Sequence, residues 1–175
     1  MSIPENIILC GFMGTGKSTV GRLIADRLGW RFVDTDQLIE ARVGRTVSQI
    51  FAQNGEAFFR QWESRICQEL IEARHTVIAT GGGIVLAPAN RETLNRAGLV
   101  VCLDAPATEI VARLHGATDR PLLAGADPVA RVTELLAARA GAYGAIRCHV
   151  DTAGKTPQEV ASRIVALWEA ERVTP

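Results

Sequence analysis

The residues with the clearest chemical signature lie close to the N-terminus. Gly11-Phe-Met-Gly14-Thr15-Gly16-Lys17-Ser18-Thr19 satisfies the spacing G-x-x-x-x-G-K-[ST]. Glycines in such a loop let backbone N–H groups wrap around phosphate oxygens, and the N-terminus of a following helix adds its dipole. Lys17 then reaches the β and γ phosphates of a nucleotide, and the Ser18 hydroxyl suits Mg²⁺. With 16 glycines and two lysines in 175 residues, a chance match is on the order of 10⁻³. Gly154-Lys155-Thr156 has the same ending, but His149 stands where the first glycine is needed. It reads as a turn and helix cap, with Lys155 in solvent.

Three further positions could serve a reaction on that phosphate. Phe32-Val33-Asp34-Thr35-Asp36 reads as a strand end, where i and i+2 side chains share a face. Two carboxylates would project together at the ligand-binding end of a parallel strand. One could hold the metal's water shell while the other takes a substrate hydroxyl proton. The other reading is that Asp36 caps a helix over Gln37 to Val43. Thr80-Gly81-Gly82-Gly83 places three glycines at another strand end, where they permit close backbone approach or simply form a tight turn. Arg120, stiffened by Pro121, is a candidate lid arginine.

The kind of nucleotide protein is narrowed by what is missing. Neither lysine is preceded by Asn, so the guanine-reading N-K-x-D pattern of a GTPase does not occur. Leu99 to Leu103 is followed by Asp104-Ala105, lacking the glutamate with which a motor ATPase polarises water. Phosphoryl transfer to a small molecule, run by positioning and charge stabilisation, is the reading that is left.

The elements that must position these groups follow from apolar runs and punctuation. A length of 175 residues with 47% apolar and 22% charged content fits one globular domain. The 19 basic and 19 acidic residues cancel, so no global field draws the chain to nucleic acid or an anionic membrane. Seventeen of the basic residues are arginine. No stretch reads as a signal peptide, and no run approaches the ~18 apolar residues of a membrane span. Cys10, Cys67, Cys102 and Cys148 lack C-x-x-C spacing, which fits reduced, mostly buried thiols in a cytoplasm. Strands are expected at Ile7 to Cys10, Arg31 to Val33, Thr76 to Ala79, Leu99 to Leu103 and Arg147 to Val150. Helical segments between them predict an α/β fold with a parallel sheet covered on both faces. Thr46-x-x-Gln49 is a capping box, Asn54-Gly55 a stop, and Thr156-Pro157-x-Glu159 the start of a last helix reaching about Arg172. Phe58, Phe59, Trp62, Ile66 and Leu70 trace a core-facing stripe within Glu56 to Arg74. His115 to Pro128 is a long loop with glycines near both ends, and loops of that length are usually functional or disordered. The three histidines show no metal-cluster spacing.

Taken together, Gly11 to Thr19, Asp34-Thr-Asp36, Gly55-Glu-Ala-Phe-Phe-Arg60, Gly81-Gly-Gly83 and Arg120-Pro-Leu-Leu123 resemble the shikimate kinase family over nearly the whole chain. The resemblance implies a P-loop NTPase fold of the nucleoside-monophosphate-kinase type, with a five-stranded parallel sheet in the order 2-3-1-4-5. It implies one domain over 1–175, with a substrate-binding segment at about 34–62 and a lid at about 115–128. It further implies transfer of the γ-phosphate of ATP, with Mg²⁺, to the 3-hydroxyl of shikimate. Gly14, Thr15, Gly16, Lys17, Ser18 and Thr19 match the nucleotide loop, and Ser18 and Asp34 the metal residues. Asp36 matches the residue that holds the substrate hydroxyls, Arg60 and Arg139 the carboxylate-binding arginines, and Gly81, Gly82 and Gly83 the backbone contact. Lys17, Asp36 and Arg120 are the catalytic set, while Arg113 and Pro157 match residues flanking adenine. A kinase for another hydroxy acid such as gluconate, or a non-catalytic ATP-binding homologue, is the alternative. A monomer without nucleic-acid or membrane partners is expected. One stretch departs from the family: where Pro-Leu-Tyr and an acid are expected, Arg139 is followed by Ala-Gly-Ala-Tyr143-Gly-Ala145.

Overall fold

The computed structural model describes residues 5–114 and 127–173. Five strands, β1 (Asn6–Gly11), β2 (Arg31–Asp34), β3 (Thr76–Ala79), β4 (Leu99–Asp104) and β5 (Cys148–Asp151), pair in parallel in the order β2-β3-β1-β4-β5. All five coincide with the expected apolar runs to within one residue at each end, as does the implied order. The helices are α1 (Lys17–Leu28), α2 (Thr35–Val43), α3 (Val47–Leu70), α4 (Pro88–Ala97), α5 (Ala107–Leu114), α6 (Pro128–Gly144) and α7 (Pro157–Val173), with a 3₁₀ turn at Ile84–Leu86. The lid expected at about 115–128 lies outside the described residues apart from Asp127 and Pro128, and so does Arg120.

Alternation along β1 builds two cores. Ile7 and Leu9 face one side, where they meet Val20, Ile24 and Ala25 of α1 and Val160, Ile164 and Trp168 of α7. Ile8 and Cys10 face the other, against residues of α2 to α6 such as Ile39, Ile66, Leu94, Ile110 and Val132. Every residue of β1 is buried, so the phosphate loop that follows it hangs from the central strand of the sheet. At the opposite end Asn6 donates through Nδ2 to the carbonyls of Ala73 and Ala97, and its Oδ1 accepts the Thr76 N–H. One buried amide thus ties three segments together.

The capping box forms: Thr46 Oγ1 accepts the Gln49 N–H and Gln49 Oε1 accepts the Thr46 N–H. The stop expected at Asn54-Gly55 is instead a kink. Gly55 takes φ 80° and ψ 172°, the helix resumes at once, and α3 ends at Leu70. A single left-handed glycine changes the axis without ending the run, because the apolar stripe through Phe59, Ile66 and Leu70 still has a core to meet.

Candidate functional site

The phosphate loop leaves β1 through Gly11 and enters α1 at Lys17, with Gly14 at φ 76° and Gly16 at φ 96°. These left-handed turns are what the glycines supply. Lys17 Nζ donates to the carbonyls of Gly11 (2.9 Å) and Phe12 (2.8 Å), so the ammonium lies folded over the loop that would cradle phosphate. Thr15 Oγ1 donates to the Phe12 carbonyl at 2.8 Å and closes the turn.

Ser18 Oγ donates to Asp34 Oδ2 at 2.7 Å. The two residues assigned to the metal therefore meet from different elements and offer adjacent hard oxygen donors at the mouth of the loop, a donor set that fits Mg²⁺. Asp34 does a second task. Its Oδ1 accepts the N–H groups of Asp36 and Gln37, making Asp34 the N-cap of α2.

This corrects the reading of Asp34 and Asp36 as alternating residues of one extended strand. β2 ends at Asp34, the chain turns helical at Thr35, and Asp36 stands in the first turn of α2. Nor does Asp36 cap that helix, because Asp34 already accepts the free N–H groups.

The nucleotide side is a cleft of about 330 Å³. Gly14, Thr15, Gly16, Thr19, Arg113 and Pro157 line it, all of them anticipated. Thr152, Lys155 and Val160 line it too; Lys155 is exposed, as expected, and stands at the rim of the cleft, paired with Asp151 at 3.3 Å. Arg113 is fixed by Gly14 O (3.3 Å) and by Thr152 Oγ1 (3.0 Å) and O (2.9 Å). Thr152 in turn gives its N–H and hydroxyl to the Asp104 carbonyl.

The acceptor side is organised by the three glycines after β3. A Cβ on Gly81 would collide with Asp36 Oδ1, and a Cβ on Gly83 with the Arg60 guanidinium. At Gly82 it would sit 3.5 Å from Arg139 Nη1 and 3.6 Å from Tyr143 Oη. Each glycine therefore abuts one of the three side chains assigned to substrate, and at Gly81 and Gly83 the lack of a Cβ is required by close approach rather than by positive φ, whereas Gly82 has room for one. The Gly81 N–H donates to Thr35 Oγ1 at 2.9 Å, docking the turn on the start of α2. Gly82 O accepts from Tyr143 Oη at 2.7 Å, with Arg139 Nη1 at 3.5 Å. Arg139 and Tyr143 are i and i+4 on α6, so one helix face delivers both, and Arg139 also lies over the Phe12 ring. α6 runs on through Ala140-Gly141-Ala142 and Tyr143 to Gly144, so the stretch that departs from the family's expected pattern is helical here.

Sequence reasoning missed Glu63. It is 1% exposed, and its Oε2 takes a 2.6 Å hydrogen bond from Arg60 Nη1, while Glu56 Oε1 accepts from Arg60 Nε and Nη2. Burial pushes the Glu63 carboxyl up to about 7, opposed by Arg60 and supported by nearby Asp36. The signal was available: at i+3 from Arg60 and between Phe59 and Ile66, Glu63 falls on the buried stripe of α3. The sequence marks Tyr143 by its register alone. Its phenol is pushed up to about 12, chiefly by burial, and so stays a donor.

The shikimate kinase family model matches residues 13–169. A shikimate kinase of Geobacter sulfurreducens is 46% identical over 170 residues, covering 95% of this chain and 94% of the relative. One of Symbiobacterium thermophilum is 47% identical over 163 residues, 91% of this chain and 94% of its own. Among solved structures, shikimate kinase from Acinetobacter baumannii in complex with shikimate superposes with a TM-score of 0.91 at 35% identity, covering 99% of this chain and 97% of that one. A gluconokinase from Sinorhizobium meliloti, at 20% identity and a TM-score of 0.61, shares the fold alone.

Proposed function

The chain belongs to the shikimate kinase family, and from that premise we propose that it transfers the γ-phosphate of ATP to the 3-hydroxyl of shikimate, giving shikimate 3-phosphate and ADP. The observation that carries the assignment of roles is the Gly81–Gly83 turn, which touches Asp36, Arg139 and Arg60 in succession.

Gly14, Thr15, Gly16, Lys17, Ser18 and Thr19 bind the triphosphate through backbone amides, the Lys17 ammonium and hydroxyls. On nucleotide binding Lys17 exchanges the Gly11 and Phe12 carbonyls for phosphate oxygens. Arg113 and Pro157 flank the base. Ser18 and Asp34 would hold Mg²⁺, which when bound neutralises charge on the phosphates. Arg60 and Arg139 clamp the shikimate carboxylate, since a guanidinium gives two parallel hydrogen bonds to that group. Asp36 orients the reacting hydroxyl and takes its proton, while Gly81, Gly82 and Gly83 let the ring approach the main chain. Arg120, in the lid segment of about 115–128, contacts the transferred phosphate. Charge stabilisation in a closed site, rather than covalent catalysis, supplies the rate.

The reading extends to one domain with a substrate segment at about 34–62, acting as a cytoplasmic monomer without nucleic-acid or membrane partners. Among the described residues no helix is long and apolar enough to cross a membrane. Coupled ADP release with ATP·Mg²⁺ and shikimate, gluconate, quinate or a nucleoside monophosphate tests the reading. Shikimate should give turnover well above the others, and preference for any other acceptor rejects it.

A further inference from the structure

A second group of donor side chains meets where β4 joins the edge strand β5, and the phosphoryl-transfer chemistry does not use it. Cys102 and Asp104 project from β4 on one face, and His149 is the β5 partner of Cys102 in the parallel register. Cys102 Sγ donates to Asp104 Oδ1 at 3.5 Å, and His149 Nδ1 lies 2.7 Å from Asp104 Oδ2. One donor atom from each residue falls within 4.8 Å of the other two.

The other imidazole nitrogen, His149 Nε2, lies 3.0 Å from the carbonyl oxygen of Ile146. Both ring nitrogens therefore face acceptors, whereas a neutral imidazole has only one N–H to give. In the tautomer with Nε2–H given to the Ile146 carbonyl, the Nδ1 lone pair faces Asp104 Oδ2, the arrangement in which both can turn to a shared cation. A ring N–H given to a backbone carbonyl is also the usual way in which a metal-ligating histidine is oriented. Access is one-sided: the His149 and Asp104 side chains are 36% and 47% exposed, while Cys102 is buried behind them.

We propose that Cys102, Asp104 and His149 bind one thiophilic divalent cation of the zinc class, with water completing its coordination. Sulfur, nitrogen and oxygen donors together select such an ion over Mg²⁺. Thiolate, carboxylate and neutral imidazole balance its two charges. Binding expels the Cys102 thiol proton. Cys102 is buried and carries its thiol proton toward Asp104 Oδ1, so a strongly thiolate-seeking ion is needed to take that proton's place. The bound ion staples the edge strand β5 to β4.

Titration of the metal-free, nucleotide-free full chain with Co²⁺ tests this. A thiolate-to-cobalt charge-transfer band should saturate at one equivalent, Zn²⁺ should bleach it, and the thermal midpoint should rise. His149→Gln and Cys102→Ser should each weaken binding roughly 100-fold or more, whereas Asp34→Asn, at the phosphate side, should leave the band intact. His149 lies at the open edge, so His149→Gln decides the matter if Cys102→Ser fails to fold. Absence of the band, or a band that survives His149→Gln, overturns the proposal.

Discussion

Tyr143 donates its phenol proton to the Gly82 carbonyl at 2.7 Å, joining the C-terminal part of α6 to the glycine turn 61 residues earlier. Arg139 approaches the same oxygen from one helical turn back, at 3.5 Å. The turn is thus held in place by the helix that also carries Arg139, proposed to bind the substrate carboxylate. Tyr143→Phe should cost about 1–2 kcal/mol of stability. It should raise KM for shikimate while leaving KM for ATP unchanged, as read by urea unfolding and steady-state kinetics.

The glycines separate binding from chemistry. Gly83→Ala pushes on the flexible end of Arg60, so KM for shikimate should rise about tenfold with a smaller change in kcat. Gly81→Ala pushes on Asp36, and a misplaced base should lower kcat about 100-fold. Indistinguishable kinetic changes in the two variants would contradict the one-glycine, one-side-chain arrangement.

Asp34→Asn keeps a helix cap and removes a charge, which isolates the proposed metal role from the fold. The Mg²⁺ concentration giving half-maximal activity should rise about tenfold or more, with KM for shikimate unmoved and the melting temperature nearly unchanged. Chelation should abolish turnover of the unmodified protein.

The Glu63 carboxyl, raised from 4.5 to about 7 by burial, gives a signed pH dependence. The folded chain holds this proton more tightly than the unfolded chain, so its contribution is fully present below pH 4.5 and is lost as pH rises through about 7. The stability of the unmodified protein relative to Glu63→Gln should therefore fall across that window. Denaturant midpoints that rise with pH relative to the variant would reverse the assignment.

Much of this site is legible before folding because its parts are local in sequence. The phosphate loop, the triple glycine and the central strands each announce themselves within a few residues, and so does the capping box at Thr46. What escaped depends on distance or on competition at a boundary. Alternation alone extends the strand to Asp36, because the true setting of that residue hangs on Asp34 capping α2. Lys155 joins the nucleotide cleft only because β5 and α7 bring the turn between them beside the phosphate loop. Glu63 is a charge on a buried stripe, explained only once Arg60 is seen against it.

The central claim is that Asp36 delivers one particular hydroxyl of the acceptor to the phosphate held at Lys17. Phosphorus–proton correlation NMR of the product made from ATP·Mg²⁺ and shikimate reads this directly, with Asp36→Asn as the control. The new phosphate should couple to the proton on carbon 3, and Asp36→Asn should form that product some 10²–10⁴-fold more slowly while still binding ATP. Phosphate on another hydroxyl, or an undiminished rate in Asp36→Asn, would contradict the account.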